Sequence, residues 1–326
     1  MNIEMIEAAN TRLDGFVRRT PLLSSPFLDE IAGRQVLVKP ECLQHTGSFK
    51  FRGAWSAISA LAPKQRAKGI IAFSSGNHAQ GVAHAAREHG TKSIIVMPRD
   101  APALKIANTR ALGAEVVLYD RASQDREAIG AQLAKDRDLT LIKPYDNEHV
   151  IAGQGTIGLE IAAQCGELGV TSAAVLVPCG GGGLTSGIAL SLADQAPDMV
   201  VHPVEPLGFD DVARSLSSGK RERNTQAVGS ICDAIITPSP GVLTFPILQR
   251  LCGAGLVVSD DDCLGAMALA FNHLKLVPEP GGAAGLAAAL FHSEKVNADT
   301  VVVVISGGNV DGDIFRRALA GNEANT

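Results

Sequence analysis

His45-Thr46-Gly47-Ser48-Phe49-Lys50-Phe51-Arg52-Gly53, residues 45–53, sets one lysine behind a Gly-Ser pair and between two phenylalanines. A lysine held among apolar rings is desolvated, which disfavours the ammonium and leaves a nucleophilic amine of the kind that forms a Schiff base. Taken alone, the same residue also reads as an ordinary lysine at a helix start, its ammonium in water, because Lys is rarely buried unless paired. The rest of the chain decides between the two.

Three further clusters sit at strand-to-helix junctions. Cys179-Gly180-Gly181-Gly182-Gly183-Leu184-Thr185 follows the strand expected at 173–177 and precedes a helix. Glycines allow positive φ and close approach, and the helix N-terminus adds positive dipole, so the loop is built to cradle a phosphate. A P-loop is excluded, since no Gly-Lys-Ser/Thr follows. A nicotinamide-dependent oxidoreductase stays open, because Gly181, Gly183 and Gly187 form a loosened dinucleotide fingerprint with Glu205 placed as a ribose-binding acid. Ser74-Ser75-Gly76-Asn77-His78-Ala79-Gln80-Gly81 forms a carboxylate-binding corner, or no more than a helix cap. Val303-Val304-Ile305-Ser306-Gly307-Gly308-Asn309 ends a buried strand in a hydroxyl, where α/β proteins bind ligands. Glu205 and Asp211 can supply oxygen ligands to a divalent cation, or stand as solvated loop acids.

The chain has 326 residues, 46% hydrophobic and 19% charged, long enough for about two domains. A net charge of −5 without any long Lys/Arg run argues against a nucleic-acid surface. The acidic start carries no secretory signal, and no apolar run nears the ~20 residues that span a bilayer, so no membrane partner and a cytoplasmic location are expected. Cys42, Cys165, Cys179, Cys232, Cys252 and Cys263 include no C-x-x-C pair, which argues against a zinc site or a disulfide framework.

β-Branched runs at 35–39, 69–73, 93–97, 115–118, 139–142, 173–177, 200–204, 255–258 and 300–305 read as strands. Stretches of helical period at 81–88, 104–112, 125–135, 155–164, 185–193, 260–276 and 283–293 alternate with them. The pattern predicts an α/β fold with largely parallel sheets. One series of strand-helix units pauses at Lys143-Pro144-Tyr145-Asp146-Asn147, and a second starts after Gly153-Gln154-Gly155.

Taken in order, Gly-Ser-Phe-Lys-x-Arg-Gly, Ser-Ser-Gly-Asn-His-Ala-Gln-Gly, the tetraglycine loop and Ser-Gly-Gly-Asn resemble the fold type II pyridoxal phosphate (PLP) enzymes. These share the tryptophan synthase β-like fold, and within them the resemblance is to the serine/threonine dehydratase and serine racemase family. It covers nearly the whole chain. It implies a large domain of residues 1–52 plus 151–326, a small inserted domain of residues 53–150, and a homodimer. It also implies that Lys50 forms the Schiff base with pyridoxal 5'-phosphate and Phe49 packs on its ring. Gly180, Gly181, Gly182, Gly183 and Leu184 would hold the phosphate, Asn77 the ring hydroxyl and Ser306 the ring nitrogen. Ser74, Ser75, Gly76, Asn77 and His78 would meet the substrate.

The implied reaction is the ammonia-lyase (dehydratase) conversion of serine or threonine, a β-elimination yielding a 2-keto acid and ammonia. The alternatives within the family are 3-hydroxyaspartate ammonia-lyase and serine racemase. Ser75 stands where racemases carry a serine that exchanges a proton on the face opposite Lys50. Arg126 lies where that branch places an arginine near a distal carboxylate. Glu205, the Phe209 carbonyl and Asp211 match its site for Mg²⁺, Ca²⁺ or Mn²⁺. The Glu279-Pro280-Gly281-Gly282 segment is closer to bacterial dehydratases. With the chain ending at Thr326, no C-terminal regulatory domain is expected.

Overall fold

A computed structural model describes residues 1–101 and 103–323; residues 324–326, the end of the expected large domain, lie outside it. Nine strands form among the described residues: β1 (Gln35–Pro40), β2 (Ile70–Phe73), β3 (Ser93–Pro98), β4 (Glu115–Tyr119), β5 (Thr140–Leu141), β6 (Ala173–Pro178), β7 (Met199–Pro206), β8 (Leu256–Val258) and β9 (Thr300–Ile305). They build two sheets, ordered β1-β9-β6-β7-β8 and β4-β3-β2-β5. Every pairing between these strands is parallel, for example Leu37 with Val302 and Ile71 with Ile94.

Burial on both faces is what makes β6 and β9 uninterrupted apolar runs. Leu176 and Val303 point into a core shared with the helices Asp260–Leu274 and Pro280–Phe291. Val175 and Val302 point the other way, toward Ile157, Ile161 and Ile188. The smaller sheet is covered likewise, with Ile70 and Ile95 in one cluster and Ile71 and Val96 in another. No described helix is long and apolar enough to cross a membrane.

Two expectations about helices are corrected. The helix read as beginning at Gly155 runs Glu148–Glu167, started by Asn147, whose side chain accepts from the Val150 amide. Gly153 and Gly155 are contact points inside it rather than a turn: a Cβ on Gly153 would lie 2.5 Å from the Arg52 carbonyl, and one on Gly155 3.0 Å from that of Gly187. The helix is therefore squeezed backbone to backbone between the helices Lys50–Ala60 and Gly183–Gln195. The helix Lys50–Ala60, buried from Phe51 to Ile58, escapes the period search because the buried polar residues Arg52 and Ser56 interrupt its apolar pattern.

Candidate active site

Each sequence cluster lies just past the carboxyl end of a strand. Lys50 follows β1, Ser74 to Asn77 follow β2, Gly180 to Gly183 follow β6 and Ser306 follows β9. They converge on a cavity of about 170 Å³. Its walls include Phe49, Lys50, Ser74, Ser75, Gly76, Asn77, His78, Arg126, the four glycines, Leu184 and Ser306. Glu205, Phe209 and Asp211 do not line it.

Lys50 Nζ donates to the Pro144 carbonyl at 2.9 Å and stands 5.0 Å from the centre of the Phe49 ring. Burial draws its pKa from 10.5 down to about 8, with Glu279 pulling the other way. Only one of the two flanking rings contributes. Phe51 turns into the core, packing on His45, Trp55 and His84 at centroid distances of 4.9–5.6 Å. The segment is anchored to β9, since the Phe49 amide donates to the Ser306 carbonyl at 3.1 Å and Ser48 bridges to Gly307.

Arg52, two residues on, is fully buried. Its guanidinium reaches Glu41 at 2.8 Å and Glu160 at 2.6 Å, while Lys39 Nζ reaches Glu160 at 2.5 Å. Two cations and two carboxylates close a neutral buried network that joins β1, the Lys50 helix and the Glu148–Glu167 helix.

The glycine loop has no room for side chains. Gly182 has φ +89°, and a Cβ on Gly181 would sit 2.3 Å from the Tyr145 ring. The helix Gly183–Gln195 begins at once, so the amides of its first turn have no intrahelical acceptors. Beside Gly180, the buried Thr237 Oγ1 has no hydrogen-bond partner.

Lys105, Tyr145, Asp233, Thr237 and Glu279 also line the cavity, and the sequence motifs assign none of them a role. Glu279 is the N-cap of the helix Pro280–Phe291, where a carboxylate suits the dipole, so its place before Pro-Gly-Gly was the available clue. Asn77 Nδ2 donates to Glu279 Oε1 at 2.5 Å, and Asn77 Oδ1 accepts from Asn309 Nδ2 at 2.7 Å. Burial pushes the Glu279 carboxyl up to about 7. His78 is buried with Nε2 3.0 Å from the Ile142 carbonyl, and desolvation with the nearby Lys50 charge lowers its pKa to about 3. Arg126 stands exposed at the mouth, its Cζ 5.5 Å from the Phe73 ring centre.

Glu205 and Asp211 are both buried, contrary to solvated loop acids. The Glu205 oxygens accept from the Val212 and Ala213 amides at 2.9 and 2.7 Å, so this acid is not free to read a ribose. Burial and the facing Asp211 raise the Glu205 pKa well above its ordinary value, and burial raises that of Asp211 to about 7. Asp211 Oδ2 is buried without a partner. No group of three or more His, Cys, Asp or Glu side chains suited to a metal occurs among the described residues.

Residues 13–307 match the model of a family described as pyridoxal-phosphate dependent enzymes. An L-threo-3-hydroxyaspartate ammonia-lyase from Pseudomonas sp is 43% identical over 98% of this chain and 98% of its own. A serine racemase from Dictyostelium discoideum is 38% identical over 95% of each chain. The crystal structure of a threonine deaminase from T.th. superposes with a TM-score of 0.90 at 44% identity, covering 95% of this chain and 99% of that one. The two parallel sheets with flanking helices are those of fold type II neighbours, and the extent of the match leaves one assignment: the chain belongs to the pyridoxal-phosphate dependent enzyme family.

Proposed function

We propose that this protein is a pyridoxal-phosphate-dependent ammonia-lyase that converts a small L-β-hydroxy amino acid to a 2-oxo acid and ammonia, with L-threo-3-hydroxyaspartate ahead of serine and threonine. The observation that carries the reaction class is Lys50, a buried amine drawn to about 8 that shares one cavity with a loop packed too tightly for side chains. The substrate order reverses the expectation from the sequence. The Pseudomonas relative is named for the dicarboxylate, and Arg126 stands at the cavity mouth.

The residues present suit the cofactor. The glycine loop is a cradle that any Cβ would fill, at a helix N-terminus, with the orphaned Thr237 hydroxyl beside it. Gly180 to Gly183 and Leu184 would hold the phosphate, Phe49 would pack on the ring, Asn77 would meet the ring hydroxyl and Ser306 the ring nitrogen. Bound there, pyridoxal phosphate supplies an electron sink for negative charge at the substrate Cα.

Lys50 takes the Cα proton. Ser74, Ser75 and Gly76, with the first amides of the helix Asn77–Glu88, hold the α-carboxylate. His78, neutral at physiological pH, shapes that corner without titrating. Glu279 and Asn309 fix which way the Asn77 amide faces. Ser306 offers a hydroxyl rather than a carboxylate, which leaves the ring nitrogen uncharged and favours prompt loss of the β-hydroxyl over transamination. Residues 53–150 carry the substrate corner and the remainder carries the cradle.

Glu205, Asp211 and the Phe209 carbonyl hold Mg²⁺, Ca²⁺ or Mn²⁺ in this reading, supported by the buried Asp211 Oδ2 and by two facing carboxylates that a cation would neutralise. A second activity, racemisation, is favoured by Ser75, which lines the cavity and whose hydroxyl has no hydrogen-bond partner among the described residues.

The test is a panel run with and without Mg²⁺: oxaloacetate from L-threo-3-hydroxyaspartate, pyruvate from serine and 2-oxobutyrate from threonine, with D-serine measured alongside. The reading predicts 2-oxo acid and ammonia in equal amounts. Absence of any 2-oxo acid from all three overturns it.

A further inference from the structure

Lys105 belongs to the helix Ala103–Ala111, beside the smaller sheet, and reaches into the cavity. Its side chain is 13% exposed, yet it makes no hydrogen bond among the described residues. Its one ion pair is a long one, Nζ to Asp233 Oδ2 at 3.8 Å. A largely covered ammonium that lines a cavity and has no hydrogen-bond acceptor among the described residues is placed to take an anionic one. Asp233 is a poor one, with its side chain 69% exposed.

Asp233 comes from the other side of the cavity. It lies in the turn closed by the Ile235 amide on the Cys232 carbonyl, next to a fully buried Cys232. Its backbone is thus pinned while its carboxylate hangs over the cavity edge. The remaining acid near Lys105, Glu279, already accepts from Asn77. Arg126, a further cation of the wall besides Lys50, is exposed and lies over Phe73.

We propose that Lys105 reads the second carboxylate of a dicarboxylic β-hydroxy amino acid, and that Asp233 is its internal stand-in, displaced when such a substrate binds. The proposal rests on the ammonia-lyase reading and adds the residue that sets substrate class. A substrate carboxylate carried inside the cavity can come to hydrogen-bond distance of Nζ, which Asp233 does not do. Serine and threonine bring no such group, so for them the Lys105–Asp233 pair stays closed.

Two measurements on the holoenzyme test it. One is the ratio of kcat/KM for L-threo-3-hydroxyaspartate to that for serine; the other is equilibrium binding of succinate, a four-carbon dicarboxylate without an amine. Lys105→Gln is expected to lower the ratio about tenfold to a hundredfold, through KM, the range for losing one charge-assisted hydrogen bond. It is expected to weaken succinate by a similar factor, with Lys105→Arg retaining most of both. Asp233→Asn removes the competitor, so succinate should bind more tightly than to the wild type. An unchanged ratio and unchanged succinate affinity in Lys105→Gln, or Arg126→Gln abolishing discrimination that Lys105→Gln keeps, overturns the proposal. If the wild type forms no 2-oxo acid at all, the ammonia-lyase reading fails while the succinate titrations still decide the roles of Lys105 and Asp233.

Discussion

An amine with a pKa near 8 is mostly protonated at pH 7 and mostly free at pH 9, so the reactivity of Lys50 in cofactor-free protein should rise through that interval. Glu279 holds the ammonium in place, and Glu279→Gln should move the midpoint to lower pH, read by competitive acetylation of Lys50 and peptide mass. The carboxyl of Glu279 has its own signature. Its folded pKa of about 7 lies above the ordinary 4.5, so its contribution to stability is complete below pH 4.5 and is lost as pH rises to 7. In cofactor-free protein Glu279→Gln, which can still accept from Asn77, should gain stability over the wild type across that range, by about 3 kcal/mol at most. Thermal melts at pH 4.5 and 8 check it. At this scale the sequence was legible where a residue type dictates chemistry. Lys50, the glycines and Ser306, which meet at one cavity, were singled out by type and place. Glu279 and Lys105 were not, because their meaning comes from burial and from partners, Asn77 and Asp233, distant in sequence.

Among the elements, the start of the Lys50 helix is fixed by charge rather than by a cap, since Phe49 makes no side-chain capping bond. Arg52→Gln leaves Glu41 and Glu160 in the interior with Lys39 as the one remaining cation of the network. Removing one partner of a buried pair typically costs 3–5 kcal/mol, and chemical denaturation should register a loss of about that size. The inner strands β6 and β9 were readable because burial on both faces leaves no polar interruption in runs such as Val301 to Ile305. Exposure does not decide which helices are legible: Gly183–Gln195 and Pro280–Phe291 are buried along most of their length yet were read at 185–193 and 283–293, and Ile3–Leu13, with one face in water, was not. The Lys50–Ala60 helix was missed because buried Arg52 and Ser56 break its apolar period, and the first turns of Glu148–Glu167 because its glycines look like a turn until the neighbouring backbones are in place.

Across the whole molecule, that glycine-packed helix is the spacer between the amine and the glycine loop proposed to hold the phosphate. On one side Gly153 meets the Arg52 carbonyl; on the other a Cβ at Gly187 would lie 2.5 Å from the Ile151 carbonyl. Gly187→Ala must therefore push the helix Gly183–Gln195 away from it, at a cost of about 1–3 kcal/mol for overpacking. The glycine loop moves with that helix, so both the melting temperature and the affinity for pyridoxal phosphate should fall. A fall in melting temperature alone would mean the spacing is not set here. The distance between the two halves of the site could not be seen in the sequence, since it is a sum of backbone contacts between three segments.

The central claim is that Lys50 is the group through which this chain acts on a β-hydroxy amino acid. Its most direct test is ammonia release from L-threo-3-hydroxyaspartate by wild-type protein and by Lys50→Ala, both saturated with pyridoxal phosphate and both shown to be folded. The account predicts turnover to oxaloacetate and ammonia by the wild type and none above background by the variant. Equal turnover by the two proteins would contradict it.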